Sequence, residues 1–158
     1  MLFRYFGQQA AWERKGFRFK MPIKLLDSTL VSLTISVYDW AHYTTSKGAV
    51  KMHTLLDYDC LLPEFMNITG GKRTDNKAAF DIEIKPHSIV VADRGYCDYG
   101  LLNHWDSNNV FYVGRHKDNI RYRTIEELPL PKQHTQNVLM DESIEFGLPA
   151  AKEKFPKR

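Results

Sequence analysis

Apolar and polar positions divide this chain into short segments of two kinds. Residues 22–38, from Pro22 to Tyr38, are rich in β-branched and apolar side chains, and after Ser28 apolar and polar residues alternate. That period of two predicts one or two half-buried strands. Gly48 to Leu56 predicts the next strand, Asp57-Tyr58-Asp59 a tight turn, and Leu61 to Thr69 the hairpin partner, ended by Gly70-Gly71. Pro63 falls near the start of that partner, where a missing N–H is tolerated. Thr74 or Asp75 is placed to cap a short helix running to Phe80. After Pro86, Ser88 to Asp93 forms a continuous apolar run, the pattern of a strand covered on both faces. Gly95 breaks this run. Asp98 then opens a helical stretch that sets Leu101, Leu102 and Trp105 on one side. Val110 to Arg115 predicts another strand, and residues 119–146 hold short β-prone pieces separated by Pro129 and Pro131. The order predicts an α/β core followed by a β-rich appendage.

Composition narrows the class. With 158 residues, 43% hydrophobic and 26% charged, the chain has the balance of a soluble globular domain. No apolar run approaches the roughly 18 residues of a membrane span, and the first residues (Met1, Leu2, Phe3, Arg4, Tyr5) carry no apolar signal-peptide core. Cys60 and Cys97 stand 37 residues apart with no CxxC spacing and no paired histidines. This excludes a disulfide scaffold and a structural zinc site, and fits a reducing cytoplasm.

The net charge of +3 conceals a segregation. Residues 1–24 carry Arg4, Arg14, Lys15, Arg18, Lys20 and Lys24 against Glu13 alone, and residues 151–158 have a net charge of +3, so residues 25–150 are net acidic. In the first stretch the bases interleave with Phe3, Tyr5, Phe6, Trp12, Phe17 and Phe19. Such a segment suits contact with a phosphate backbone, and equally an ordinary solvated face with hydrophobic anchors.

Two aspartates stand out by position. Asp27 interrupts the run Ile23-Lys24-Leu25-Leu26, where a buried carboxylate costs several kcal/mol unless compensated, and Asp93 ends the run Ile89-Val90-Val91-Ala92. In α/β sheets the carboxyl ends of central strands line the ligand crevice. If the two strands are neighbours, their acids converge on a hard divalent cation, as in phosphoryl-transfer enzymes. The competing reading makes both residues turn caps, Asp27 with Ser28 and Thr29, and Asp93 at Gly95. Lys51 and His53 share one face of their strand, pointing either into the crevice or out to solvent. Arg94 is placed to hold a phosphate or to pair with a neighbouring acid. His42, His87, His104, His116 and His134 show no ligand spacing, and Tyr96 and Tyr99 read as packing residues.

Several segments together resemble a known family. Leu25-Leu26-Asp27-Ser28-Thr29, then the stretch Gly48–Asp57 with Lys51-Met52-His53-Thr54, then Asn67-Ile68-Thr69, look like its first block. Val90-Val91-Ala92-Asp93-Arg94-Gly95-Tyr96 resembles its second catalytic block, and Phe111 to Asn119 the strand that follows. The family is the bacterial insertion-sequence DDE transposases, of the group with a Tyr-Arg-Glu-Lys signature and a β-rich insertion. The resemblance runs from about residue 20 to the end.

The resemblance implies a ribonuclease H-like mixed sheet with flanking helices, its first strand carrying Asp27 and its fourth Asp93. Both acids would ligate Mg²⁺ or Mn²⁺ for two-metal cleavage and strand transfer of DNA. Arg14, Lys15, Arg18, Lys20, Lys51, His53 and Arg94 would contact double-stranded DNA bearing terminal inverted repeats, with a homodimer on DNA as one arrangement. The expected organisation is a basic, aromatic segment over 1–20, a partial catalytic core over 21–118, and the start of the β-rich insertion over 119–158. The family's third acid is a glutamate in the Tyr-Arg-Glu-Lys helix. No YxxRxxxExxxxxxK pattern occurs among these residues, and Glu126, Glu127, Glu142 and Glu145 lie in β-prone or loop sequence. The expected product is therefore a truncated catalytic domain, inactive by itself, in the bacterial cytoplasm at the nucleoid. A non-catalytic nucleic-acid-binding domain on a degenerate version of the fold is the main alternative, and a metal-dependent nuclease a third.

Overall fold

The computed structural model describes residues 20–33, 48–130, 138–147 and 149–155. Arg14, Lys15 and Arg18, expected to contact DNA, lie outside the described residues. The chain divides into two compact units, residues 1–116 and 117–158.

In the first unit, strand β1 (Ile23–Leu33) is followed by β2 (Gly48–Asp57) and β3 (Pro63–Gly70), then helix α1 (Asp75–Ala79) and β4 (Ile89–Ala92). A 3-10 turn (Arg94–Tyr96), helix α2 (Tyr99–Ser107) and β5 (Phe111–Gly114) complete it. The five strands form one sheet in the order β3-β2-β1-β4-β5. β1 pairs antiparallel with β2 and parallel with β4, β2 pairs antiparallel with β3, and β4 parallel with β5. Three antiparallel strands continued by two parallel ones make the mixed ribonuclease H-like sheet that the resemblance implies.

Local chemistry accounts for the element ends. The β2–β3 turn is tied by Asp57, whose Oδ1 accepts from the backbone N–H of Asp59 at 2.8 Å and of Cys60 at 3.2 Å. The left-handed position that follows is taken by Leu61, at φ 54°. Thr74 stands at the N-cap of α1, but its side chain makes no capping bond. Asp98 does cap α2, accepting from Gly100 N–H at 3.0 Å and Leu101 N–H at 3.2 Å. Asn109, just past that helix, adopts the left-handed conformation common at this position, with φ 56°.

Strand alternation sorts the sheet into two faces. Leu26, Ala49, His53, Leu55, Thr69 and Val90 share the packed face by their register, and all are buried. Ala78 and Ala79 of α1 and Leu101, Leu102 and Trp105 of α2 are buried as well, so the helices supply the rest of this core. The opposite face shows Val31, Met66, Ile68, Phe111 and Val113 exposed. β4 is covered less than its unbroken apolar run predicted. Ile89 and Val90 are buried, whereas Val91 and Ala92 are half-buried, because the strand emerges there at the open end of the sheet.

The second unit pairs β6 (Tyr122–Glu127) antiparallel with β7 (Glu142–Phe146), followed by helix α3 (Pro149–Lys154). Its small core joins Phe146 edge-on to Phe155, 5.6 Å between ring centres, beside the buried Ala151. The short helix had no counterpart in the sequence reading. Glu126 and Glu127 lie on β6 and Glu142 and Glu145 on β7, where Glu145 holds Arg123 at 2.7 Å. Cys60 and Cys97 are free thiols. No helix among the described residues is long and apolar enough to cross a membrane.

Candidate functional site

The two aspartates meet where β4 ends. The parallel ladder between β1 and β4 runs from Ile23 opposite Ile89 to Leu26 opposite Ala92. Asp27 and Asp93 are the next residue on each strand, so they leave the last rung side by side, where backbones lie about 4.8 Å apart. Asp27 is not buried, contrary to the expectation from its apolar neighbours; it occupies the exposed face of β1 by strand alternation. Nor does it cap a turn, since β1 continues through it with Thr54 of β2 opposite. Asp93, also exposed, stands just beyond β4 and caps the 3-10 turn, its Oδ1 accepting from Gly95 N–H at 2.9 Å. For this residue both readings hold geometrically, because Oδ2 lies outside that bond.

Behind the pair stands a residue that the sequence offered only as a helix cap. Asp75, in the first turn of α1, accepts a hydrogen bond from Ser28 Oγ at 2.8 Å and one from Lys51 Nζ at 3.0 Å, both at Oδ1. His53 Nδ1 is 3.9 Å from the same oxygen. Lys51 and His53 thus do share a face, but it is the packed one. His53 is fully buried and its Nε2 pairs with Thr69 Oγ1 at 2.9 Å, so it packs and hydrogen-bonds inside the sheet and has no surface to offer DNA. Burial lowers its pKa from 6.5, outweighing the opposing charge of Asp75. Nothing in the sequence joined Asp75 to Ser28 or Lys51, since partners 47 and 24 residues away carry no periodic signal.

Tyr96, buried to 2% exposure, senses all three acids. Burial raises the pKa of its phenol far above the ordinary value, the Ser28 hydroxyl opposes this, and the charges of Asp75, Asp27 and Asp93 add to the rise. Arg94 and Lys20 are exposed. A cavity of about 260 Å³ adjoins Asp93, with Trp105, Tyr112 and Arg115 in its wall.

Two exposed carboxylates on adjacent strands are hard oxygen donors suited to Mg²⁺ or Mn²⁺. Among the described residues no group of three or more histidine, cysteine or acidic side chains is gathered to hold an ion. Asp27 and Asp93 therefore fit a divalent cation as part of a ligand set.

The mixed five-strand sheet fits the class of DDE transposase domains. The chain belongs to the transposase DDE domain family, whose model matches residues 18–147. It is 26% identical over 134 residues to a Geobacillus stearothermophilus protein named as the transposase for insertion sequence element IS5377, covering 85% of this chain and 35% of that one. It is 28% identical over 105 residues to a Sinorhizobium fredii protein named as a transposase, y4zB, covering 66% and 29%. The chain thus spans about a third of the length of these relatives. The piggyBac transposase in a synaptic complex with hairpin DNA aligns over 61% of this chain and 23% of that one, at 10% identity and a TM-score of 0.43. DDE transposases generally use divalent metal ions and act on DNA.

Proposed function

We propose that this chain is the part of an insertion-sequence transposase that carries the first two acids of its metal centre, for phosphoryl transfer on DNA. The observation that carries the reading is the placement of Asp27 and Asp93 directly beyond the last paired rung of neighbouring parallel strands. Asp27 and Asp93 hold Mg²⁺ or Mn²⁺ through carboxylate oxygens. When bound, the metal supplies a lowered pKa for an attacking water or 3′-hydroxyl and charge stabilisation at the leaving oxygen. The rest of the work is positioning. Arg94, exposed beside Asp93, binds a phosphate, and Lys20 with Arg14, Lys15 and Arg18 grips the DNA backbone. The terminal inverted repeats, a homodimer on DNA, the nucleoid location and the assignment of 119–158 to the start of a β-rich insertion belong to the same reading. Two carboxylates alone hold the ions loosely, so the purified chain is expected not to nick terminal-repeat DNA.

Thermal unfolding with and without Mn²⁺ tests the site. An ion that binds only the folded form adds about 2.7 kcal/mol at a hundred times its dissociation constant. The parent should show a metal-dependent rise that both Asp27→Asn and Asp93→Asn lose; no metal response in the parent would sink the reading. DNA binding has its own measurement, the salt dependence of affinity. Replacing Arg14, Lys15, Arg18 and Lys20 together by alanine should flatten the slope of log affinity against log salt by roughly three to four units. Salt-sensitive binding without any metal response would leave the non-catalytic DNA-binding domain instead.

A further inference from the structure

The ladder between β1 and β4 stops at Leu26 and Ala92, so backbone pairing sets where Asp27 and Asp93 begin but does not set where their side chains stand. Something else has to, because an exposed acid pair that wanders binds a cation weakly. Asp75 reaches both sides of the gap from a third element. Its Oδ1 takes the bond from Ser28, the residue after Asp27, and its Oδ2 faces the turn after Asp93. A Cβ on Gly95 would lie 3.6 Å from Asp75 Oδ2 and only 2.9 Å from Asp93 Oδ1. The glycine therefore leaves room for Asp93 to fold back onto its own turn. Lys51, itself on β2, puts a positive charge on Asp75 at 3.0 Å, which offsets the negative charge of this third carboxylate.

We infer that Asp75 is a positioning residue for the Asp27–Asp93 pair, hydrogen-bonding β1 through Ser28 and packing with its second oxygen beside the Gly95 turn. Asp75 touches no substrate in this role; it sets where the two outer acids stand. The inference rests on the two-acid reading above.

The experiment uses the whole chain and two measurements. Mn²⁺ affinity is read from water-proton relaxation below the unfolding temperature, for the parent, Ser28→Ala, Asp75→Asn, Asp27→Asn and Asp93→Asn. Amide hydrogen exchange is followed on the metal-free proteins over residues 26–30 and 93–97. Asp75→Asn should weaken Mn²⁺ binding by about 10–100-fold, the usual effect of losing a group that orients a ligand. Ser28→Ala changes no charge and keeps every acid, yet should weaken it severalfold, which a purely electrostatic effect of Asp75 would not do. In Asp75→Asn both exchange segments should lose protection together. Parent-like Mn²⁺ affinity in Ser28→Ala and Asp75→Asn, with binding lost in Asp27→Asn and Asp93→Asn, would overturn the positioning role while keeping the site. If the parent binds no Mn²⁺, or the Asp27 and Asp93 variants bind as the parent does, the two-acid reading fails and takes the metal role of Asp75 with it. The exchange data then decide the positioning of the two segments alone: coordinated loss of protection supports it, and unchanged protection overturns it.

Discussion

Lys24 and Asp27 stand three residues apart on β1 and on opposite faces of the sheet. Lys24 is 5% exposed and enclosed, with Asp57 Oδ2 at 2.6 Å and Glu64 Oε1 at 2.7 Å. Burial works against its ammonium, but the hydrogen bonds and charges of Asp57 and Glu64 outweigh that and hold its pKa above 10.5. The same contact overcomes the burial of Asp57 and lowers its pKa from 3.8. Asp27 and Asp93, by contrast, are exposed and lie side by side with like charge. A buried charge has to find its counter-charge within the chain, because desolvation costs several kcal/mol per ion. Exposed carboxylates escape that cost, and a cation from outside would relieve their mutual repulsion. One strand therefore carries a centre closed by folding at Lys24 and, three residues on and on the other face, a pair of charges that folding leaves open.

The sharpest way to break this contrast is to remove the enclosed charge. Lys24→Met should lower the unfolding free energy by about 2–4 kcal/mol, measured by urea denaturation. The low end of that range is expected because the Glu64 side chain is 41% exposed and can turn to water. A variant as stable as the parent would mean that the closed centre contributes nothing.

His53 gives a smaller and pH-dependent effect. Its folded pKa is lowered from 6.5, so the unfolded chain takes up the proton more readily. The stability tied to neutral His53 is fully present above about pH 6.5 and is lost as pH falls below it, by at most about 1.4 kcal/mol per pH unit. The unfolding free energy of the parent should decline over that window, and His53→Asn should lose this part of the slope. Equal slopes would show that the buried ring protonates without cost.

The open centre should respond least. Asp27→Asn and Asp93→Asn, without metal, are expected to change stability by no more than about 0.5 kcal/mol, in either direction. Asparagine can keep the bond from Gly95 N–H that Asp93 accepts. A loss of several kcal/mol in calorimetry would show instead that these acids are structural, as Lys24 is.

Much of the fold was legible in the residue pattern. The alternation after Ser28, the hairpin around Asp57, the Asp98 cap and the apolar run at β4 each report a local rule of backbone geometry, and each element formed close to its expected bounds. The mixed-sheet fold class and the family came from motifs in sequence order, not from any one element, and the strand order 3-2-1-4-5 came from the structure. What local rules missed was short or irregular: the 3-10 turn at Arg94–Tyr96 and the six-residue helix α3.

The sequence by itself singled out Asp27 and Asp93 as candidates and, through period and turn residues, predicted which strands present them. It could not determine burial from neighbours alone. Asp27 sits among apolar residues yet faces outward, because alternate residues of a strand point to opposite faces, and only sheet packing decides which face is covered. His53 shares a face with Lys51 as their spacing implies, but its full burial was not legible, since packing decides which face is covered. Asp75 became the partner of Ser28, Lys51 and the Gly95 turn only in three dimensions. These contacts depend on distances between a helix, two strands and a turn, and distances of that kind are written in the tertiary structure because no sequence spacing encodes them.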